Sequence, residues 1–373
     1  MTGKNSNMKI IIAGGGTGGH IFPALAIANA LKSKIPSMEI LFVGAKGKME
    51  MEKIPAAGYQ IIGIDIAGYN RSSLIKNISL PVKLVQSFFQ VRKILKDFKP
   101  DAVIGVGGYS SFPVLRSAQN MKIPTFIHES NSFPGKSNIL LGKRATEIFV
   151  PSAGMEKYFP AKKILLTGNP IRKAFLEKIP KADALEFFGL SPEMKTVFVM
   201  GGSLGAKSIN ETIEANIDVF KNNHLQLIWQ TGKNYAANAA KVEEERMNVW
   251  TNAFIDKMEN AYAAADVVVA RSGAMTVAEM CVTGKPAIFV PFPFAAEDHQ
   301  TANAMELVNK KAALIVPDAE VKTRLIPDLL ELINREALMK ELSENILKLS
   351  NTNADKIIAD EILKKLKKNS IKN

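Results

Sequence analysis

Cysteine is nearly absent from this chain. Cys281 is its one cysteine, which excludes an internal disulfide and a cysteine-built metal site and fits a reducing compartment. Long apolar runs are missing as well. No stretch reaches the roughly 18–20 apolar residues that a spanning helix needs, so the chain is not expected to cross a membrane. No N-terminal stretch pairs a basic head with an apolar core and a small-residue cleavage site, so no secretory signal is expected. Acidic side chains are scarce in one half only. Residues 1–167 hold 22 Lys+Arg and 9 Asp+Glu, whereas the remainder holds 26 and 27, so the excess behind the +12 net charge lies in the first half. A basic half calls for an anionic partner: nucleic acid, an anionic membrane surface or a phosphorylated substrate. RNA- and DNA-binding motifs and interleaved aromatic and basic residues are absent, which argues against nucleic acid.

What is present is an ordinary globular balance, 47 % hydrophobic and 23 % charged, over 373 residues, a length that suits two domains. Residues 1–7 are polar and are expected to be disordered. From there strand and helix patterns alternate. "MKIIIA" reads as a buried strand and "IFPALAIANALKSK" as a helix. Segments 39–44, 59–66, 101–108, 124–129, 146–151 and 163–170 read as strands, and Leu80 to Phe98 as a helix. After Pro170 the pattern restarts. Segment 195–200 is a strand, 201–210 a glycine loop, and Glu211 to Phe220 a helix. Strands follow at 225–232, 249–255, 265–273, 285–293 and 312–317, and a lysine-rich helix at Ala354 to Lys368. Such alternation predicts an α/β protein of doubly wound parallel sheets with helices on both faces. Strand, glycine loop and helix open both halves, an internal duplication with its boundary near residues 165–175. The predicted domains are 8–167, joined by a C-terminal helix at about 350–373, and 168–349.

The first loop is "GGGTGGH", Gly14 to His20. A glycine loop leading from a strand into a helix points backbone N–H groups outward, and the helix dipole favours an anion there. Gly14, Gly16 and Gly19 match G-x-G-x-x-G, a weak signal alone. A dinucleotide site also wants an acid at the end of the second strand for the ribose. That strand ends Val43-Gly44-Ala45-Lys46, without a carboxylate, so a nicotinamide cofactor is not expected. His20 lies at the mouth of the sheet, where open α/β folds bind ligands. It either packs the helix start or serves as a neutral imidazole base. "HESN", His128 to Asn131, ends another strand. Glu129 is either buried and structural, or assists a base or binds sugar hydroxyls.

In the second half, "GGSLGA" (201–206) can cradle phosphate, with Ser203 as hydroxyl donor. "RSGAMTVAEM" (271–280) enters a helix through a Ser-Gly turn. Thr276 and the amides at that helix start can hold a phosphate, and Glu279 can accept two ribose hydroxyls or simply complement the helix dipole. "PFPFAAEDHQTANA" (291–304) resembles a loop that reads hydroxyls.

Taken in order, "GGGTGGH", "HESN", "GNPIR", "GGSLGA", "FID", "ADVVVARSGAMTVAE" and "DHQTANA" span residues 8–350. This ordered set resembles the MurG family of GT-B glycosyltransferases, bacterial enzymes that add N-acetylglucosamine to the lipid-linked muramyl-pentapeptide precursor of peptidoglycan. The resemblance implies a GT-B fold, two Rossmann-like domains facing a cleft, with the final helices returning to the N-terminal domain. It implies a UDP-GlcNAc donor on the C-terminal domain and a polyprenyl-pyrophosphate-linked acceptor, lipid I, on the N-terminal one, at the cytoplasmic face of the plasma membrane. Carried over, the donor residues are Thr17, Gly18, Gly19, Asn131, Arg172, Ser203, Ile255, Ala274, Met275, Thr276, Glu279 and Gln300, with Arg271 a further candidate for the diphosphate. Gly15, Tyr109 and Asn138 are acceptor-side candidates. Where the family often has glutamine, leucine and glutamine, this chain has Thr301, Met275 and Ser130. An α-linked donor and a β-1,4 product imply an inverting displacement, with His20 as base and Glu129 as second candidate. No D-x-D-like pair stands ready to hold a metal between phosphates, and no metal or other cofactor is expected.

Segment 68–93 mixes Leu74, Ile75, Ile78, Leu80, Leu84, Phe88 and Phe89 with Arg71, Lys76, Lys83, Arg92 and Lys93. It reads either as a monotopic contact with anionic lipid or as an amphipathic helix packed on the sheet.

Overall fold

Ile10, Ile11 and Ile12 stand in a row and are all fully buried. A strand turns successive side chains to opposite faces, so such a run needs cover on both sides, as in the middle of a parallel sheet. Ile10 and Ile12 join one apolar cluster with Ile21, Ile27 and Leu31, whereas Ile11 joins another with Val91, Leu95 and Leu115. Each such side chain contributes about 1.5–3 kcal/mol through burial.

The computed structural model describes residues 7–67, 80–202, 204–245 and 248–370. The chain divides into two units, one running to Arg172 and taking in the chain from Asn353 onward, the other spanning Lys173–Thr352. The first alternates β1 (Lys9–Ala13), α1 (Gly18–Lys34), β2 (Glu39–Ala45), α2 (Glu50–Ala56), β3 (Gln60–Ile64), α3 (Leu80–Phe98), β4 (Ala102–Gly105), α4 (Ser111–Asn120), β5 (Thr125–His128), α5 (Lys136–Gly142), β6 (Glu147–Val150) and β7 (Ile164–Leu166). Its sheet runs β3-β2-β1-β4-β5-β6-β7, with every neighbouring pair parallel.

The second unit contains α6 (Lys181–Phe187), β8 (Lys195–Met200), α7 (Lys207–Ala215), α8 (Ile217–Asn222), β9 (Leu225–Gln230), α9 (Ala236–Glu245), β10 (Val249–Asn252), α10 (Met258–Ala264), β11 (Val267–Ala270), α11 (Ala274–Thr283), β12 (Ala287–Phe289), α12 (His299–Val308), β13 (Leu314–Ile315), α13 (Val321–Asn334) and α14 (Glu336–Leu347). Its parallel sheet runs β10-β9-β8-β11-β12-β13. The two sheets therefore share one winding. In each, the first strand pairs with the second on one side and the fourth on the other, which places a switch point at β1/β4 and again at β8/β11.

The last helix, α15 (Ala354–Ser370), packs on α1 in the first unit. Ile358, Ala359, Ile362 and Leu366 enter the same cluster as Ile21 and Ile27. Lys365 pairs with Glu147, and Lys34 with Asp360 at 2.7 Å.

Two sequence readings need correction. Strand 249–255 stops at Asn252, because the next residues turn so that Ile255 N–H donates to Gln230 Oε1 at 2.9 Å. The helix expected from Glu211 begins four residues earlier, at Lys207, and breaks at Asn216. Asn216 leaves helical geometry and its amide donates to Thr212 O at 2.9 Å, a local bond that competes with the helix ladder. Of the segment 68–93, residues 68–79 lie outside the described residues. The rest forms the start of α3, whose Ser87, Val91 and Leu95 are buried. Val82, Val85 and Phe89 are 59, 56 and 71 % exposed and lie on one face of the helix. Among the described residues, no helix is long and apolar enough to cross a membrane.

Candidate active site

At the first switch point, the loop after β1 interlocks with the loop after β4. Gly15 N–H donates to Gly107 O at 3.3 Å. Gly108, at φ 84°, passes so close that an added Cβ would lie 2.3 Å from Gly15 O. That approach needs glycine for both its space and its left-handed backbone. Thr17 then caps α1 with extended geometry, its carbonyl accepting from His20 N–H and Ile21 N–H at 3.1 and 3.2 Å. The amides of Gly18 and Gly19 precede the first intrahelical bond, so they face outward as anion-binding donors.

His20 is half-buried, and its Nδ1 lies 3.1 Å from Gly15 O and 3.5 Å from Thr17 Oγ1. A carbonyl oxygen only accepts, so Nδ1 carries a proton, and in the neutral ring Nε2 then holds the lone pair. This is the tautomer a general base requires.

A carboxylate does reach the end of β2, from the helix that follows it. Glu50, the first residue of α2, is 1 % exposed. Its Oε2 accepts from Gly16 N–H at 2.7 Å and its Oε1 from Ala45 N–H at 2.9 Å. The chain itself consumes this carboxylate. Sequence reasoning missed Glu50; the only available signal was an acid closely following the second strand.

Glu129 is 3 % exposed and its two oxygens accept four hydrogen bonds. Asn131 N–H, Asn131 Nδ2 and Asn138 Nδ2 donate at 2.9, 3.2 and 2.8 Å, and Gly135 N–H at 3.3 Å. Burial pushes its pKa up and these donors pull it back. The second base candidate is thus committed to the loop it organises, as is Asn138, which is buried against it. Tyr109 is exposed in the loop after β4. Asn169 of "GNPIR" donates to Ser130 O at 2.9 Å, which brings that motif against "HESN", and Arg172 lies over the Phe22 ring at 4.7 Å.

His128 is fully buried, and its pKa is pushed down to about 3 by burial first and by the neighbouring His20 second, against an opposing pull from Asn169. The unfolded chain binds a proton near pH 6.5 that folded His128 refuses. Its contribution is complete above that pH and is lost as pH falls towards 3, at about 1 kcal/mol per pH unit. Urea midpoints across this window check the slope, which is expected to flatten in His128→Asn. An unchanged slope would contradict this account.

In the second unit a close glycine approach recurs, but on the β9 side of β8 and not at the switch point. The loop after β8 presses against the loop after β9, with Gly205 so placed that a Cβ would lie 2.0 Å from Thr231 O. Asn210 Nδ2 donates to Thr231 O at 2.8 Å, and buried Trp229 donates to Asn210 Oδ1 at 3.0 Å. Ser203 lies outside the described residues. The amides of Ala274, Met275 and Thr276 open α11 behind Gly273, ahead of the first intrahelical bond from Val277 N–H to Gly273 O. Glu279 is buried one turn further and accepts from Tyr262 OH at 3.3 Å. Gln300 is fixed by Phe292 N–H donating to its Oε1 at 3.0 Å, while Ser272 Oγ donates to its carbonyl at 2.8 Å.

The Arg271 guanidinium pairs with Asp318 at 2.6 Å and donates to the carbonyls of Val290 and Pro291 and to Ser208 Oγ. A cation neutralised and bonded in this way ties the loops after β11, β12 and β13 to α7.

Residues 10–150 match the family model of the glycosyltransferase family 28 N-terminal domain, and residues 196–362 that of the family 28 C-terminal domain. The UDP-N-acetylglucosamine–N-acetylmuramyl-(pentapeptide) pyrophosphoryl-undecaprenol N-acetylglucosamine transferase of Parabacteroides distasonis is 48 % identical over 359 residues, covering 95 % of this chain and 98 % of that protein. The protein of the same name from Phocaeicola vulgatus is 49 % identical over 363 residues, 96 % of each chain. The crystal structure of Acinetobacter baumannii MurG is similar at a TM-score of 0.75 and 28 % identity, over 96 % of this chain and 99 % of that one. With two parallel α/β sheets of the GT-B type and matches of this extent, the chain belongs to glycosyltransferase family 28 and, within it, to the MurG enzymes.

Proposed function

We propose that this enzyme transfers N-acetylglucosamine from UDP-GlcNAc to the C4 hydroxyl of N-acetylmuramic acid in undecaprenyl-pyrophosphoryl-MurNAc-pentapeptide, with inversion at the anomeric carbon. The observation that carries the chemistry is the His20 ring, held through Nδ1 by Gly15 O. Its Nε2 takes the C4 hydroxyl proton as that oxygen bonds to the anomeric carbon. The bond from that carbon to the diphosphate breaks in the same displacement, and UDP leaves with the negative charge. Outward N–H groups at the start of α11, the 201–206 loop and Arg172 favour that charge. In the second unit, Thr276 and Gln300 bind the donor, Glu279 its ribose hydroxyls, and Ile255 contributes backbone contacts. Thr17, Gly18, Gly19 and Asn131 complete the donor set from the first unit, where Gly15 and Tyr109 serve the acceptor.

The basic first unit suits an acceptor that carries pyrophosphate at an anionic membrane surface, and its place is the cytoplasmic face of the plasma membrane. Val82, Val85 and Phe89, beside Lys83, Arg92 and Lys93, form the contact. The protein is expected to float with vesicles containing anionic lipid and to lose flotation in Val85→Ser/Phe89→Ser. Undiminished flotation of that variant would remove α3 from the contact.

The deciding experiment is UDP release by the purified protein, with and without a soluble short-chain lipid I analogue. Acceptor-dependent release from UDP-GlcNAc, and not from UDP-Glc or UDP-Gal, is expected. Release that ignores the acceptor would overturn it and favour another GT-B transfer to a lipid.

A further inference from the structure

We propose that Glu50 is a positioning residue for the transfer: its buried carboxylate holds the Gly14–Gly16 loop so that Gly15 O fixes the His20 ring with Nε2 unprotonated. The proposal rests on the reading of His20 as base. Its starting point is a carboxylate taken almost wholly out of water, 1 % exposed, whose partners are two main-chain N–H groups. Burying an ionised carboxylate is costly unless each oxygen is bonded. One oxygen grips Gly16 in the glycine loop and the other grips Ala45 at the end of β2. Glu50 thus ties the loop that carries the base to the rigid sheet, although 34 residues separate it from Gly16.

Two glycines are shaped around this side chain. A Cβ on Gly15 would lie 2.3 Å from Glu50 Cδ, and one on Gly44 would lie 2.5 Å from Glu50 Cγ. Gly15 stands at φ 149°, with its N–H on Gly107 O and its carbonyl towards His20 Nδ1. The orientation of that carbonyl decides which ring nitrogen holds the proton. Glu50 reaches His20 through two links, the bond to Gly16 N–H and the peptide group joining Gly15 to Gly16. Releasing the loop lets the carbonyl turn, and Nε2 then carries the proton in part of the population, where it cannot accept one from a sugar hydroxyl.

Glu50→Gln tests this. The amide is the size of the carboxylate but sets an NH2 against one of the two N–H donors. Gly44→Ala is the second variant. It crowds Glu50 from β2 and leaves the loop and the carboxylate chemically intact. Long-range 1H–15N spectra of the four histidines, with His20 assigned by its loss in His20→Ala, report the ring protonation directly. Wild-type His20 is expected as the Nδ1–H form and both variants as a mixture of tautomers. In acceptor-dependent UDP release, kcat of Glu50→Gln falls roughly tenfold while both KM values stay within about twofold. In a His20→Ala background the same change costs nothing further, because Glu50 acts through that ring. A His20 ring that stays Nδ1–H in the folded variants overturns the proposal, as does an equal loss of kcat in both backgrounds. Full turnover of His20→Ala overturns the base reading and with it the catalytic meaning of Glu50. The ring spectra distinguish that failure from a Glu50 that never held the ring.

Discussion

His20→Ala is expected to lower kcat for acceptor-dependent UDP release by about 10²–10⁴, the usual worth of a positioned general base. Donor affinity should stay close to that of the unaltered protein. The N–H groups that open α11, the Glu279 carboxylate and the fixed Gln300 side chain belong to the second unit, and none depends on the imidazole. The loop itself survives the substitution, because Gly15 N–H on Gly107 O and Glu50 on Gly16 N–H do not involve the ring. Steady-state UDP release gives kcat, and calorimetric titration with UDP gives the affinity. Turnover within a few-fold of the unaltered protein would take the base away from His20.

Glu129→Ala should produce the largest loss of stability at the site, about 3 kcal/mol. Four N–H bonds lose their acceptor together, and each donor left unsatisfied away from water costs about 1–3 kcal/mol. Water reaches the half-buried Asn131 and Gly135, which offsets part of that cost, whereas Asn138 is buried and has no such relief. Glu129→Gln retains one oxygen and should lose only about 1 kcal/mol, within the range of a net hydrogen bond. Urea unfolding followed by circular dichroism separates the two variants. The contrast with a catalytic role is direct. If Glu129 were the base, the glutamine variant would lose turnover by the general-base factor and keep its midpoint. That pattern would return Glu129 to the chemistry.

The features legible in the sequence were those with a local, periodic mark. The run Ile10-Ile11-Ile12 announced a strand covered on both faces, and the glycine loop behind it announced a helix start. Because the same sign occurs again at residues 195–206, the repeated architecture could be read before the strand orders were seen. What stayed hidden depends on contacts between distant residues. Arg271 in a loop beside a helix start reads as a phosphate ligand, and nothing local reveals that Asp318, 47 residues on, claims it. Glu50 reads as a surface helix acid until its two oxygens are found on Gly16 and Ala45. Glu129 sits among its partners in sequence, yet side chains of the same type would serve a sugar as well as a loop. The helix start at Lys207 is hidden for a different reason. The polar stretch Lys207 to Asn210 continues the composition of the glycine loop, while buried Ile209 and Ile213 place it on a helix.

The position of α15 has a consequence for how the protein is made. Ile358, Ala359, Ile362 and Leu366 complete an apolar cluster in which their partners on α1, Ile21 and Ile27 among them, are more than three hundred residues earlier in the chain. A nascent chain leaving the ribosome therefore carries the first unit with the α15 side of this cluster uncovered while all of the second is synthesised. At ordinary elongation rates of about 5–20 residues per second, that interval lasts on the order of ten seconds or more. During that time α1 presents its apolar side to whatever chaperone or membrane is near. Codon changes that slow translation of the second unit would lengthen the exposure without altering a single residue of the finished enzyme.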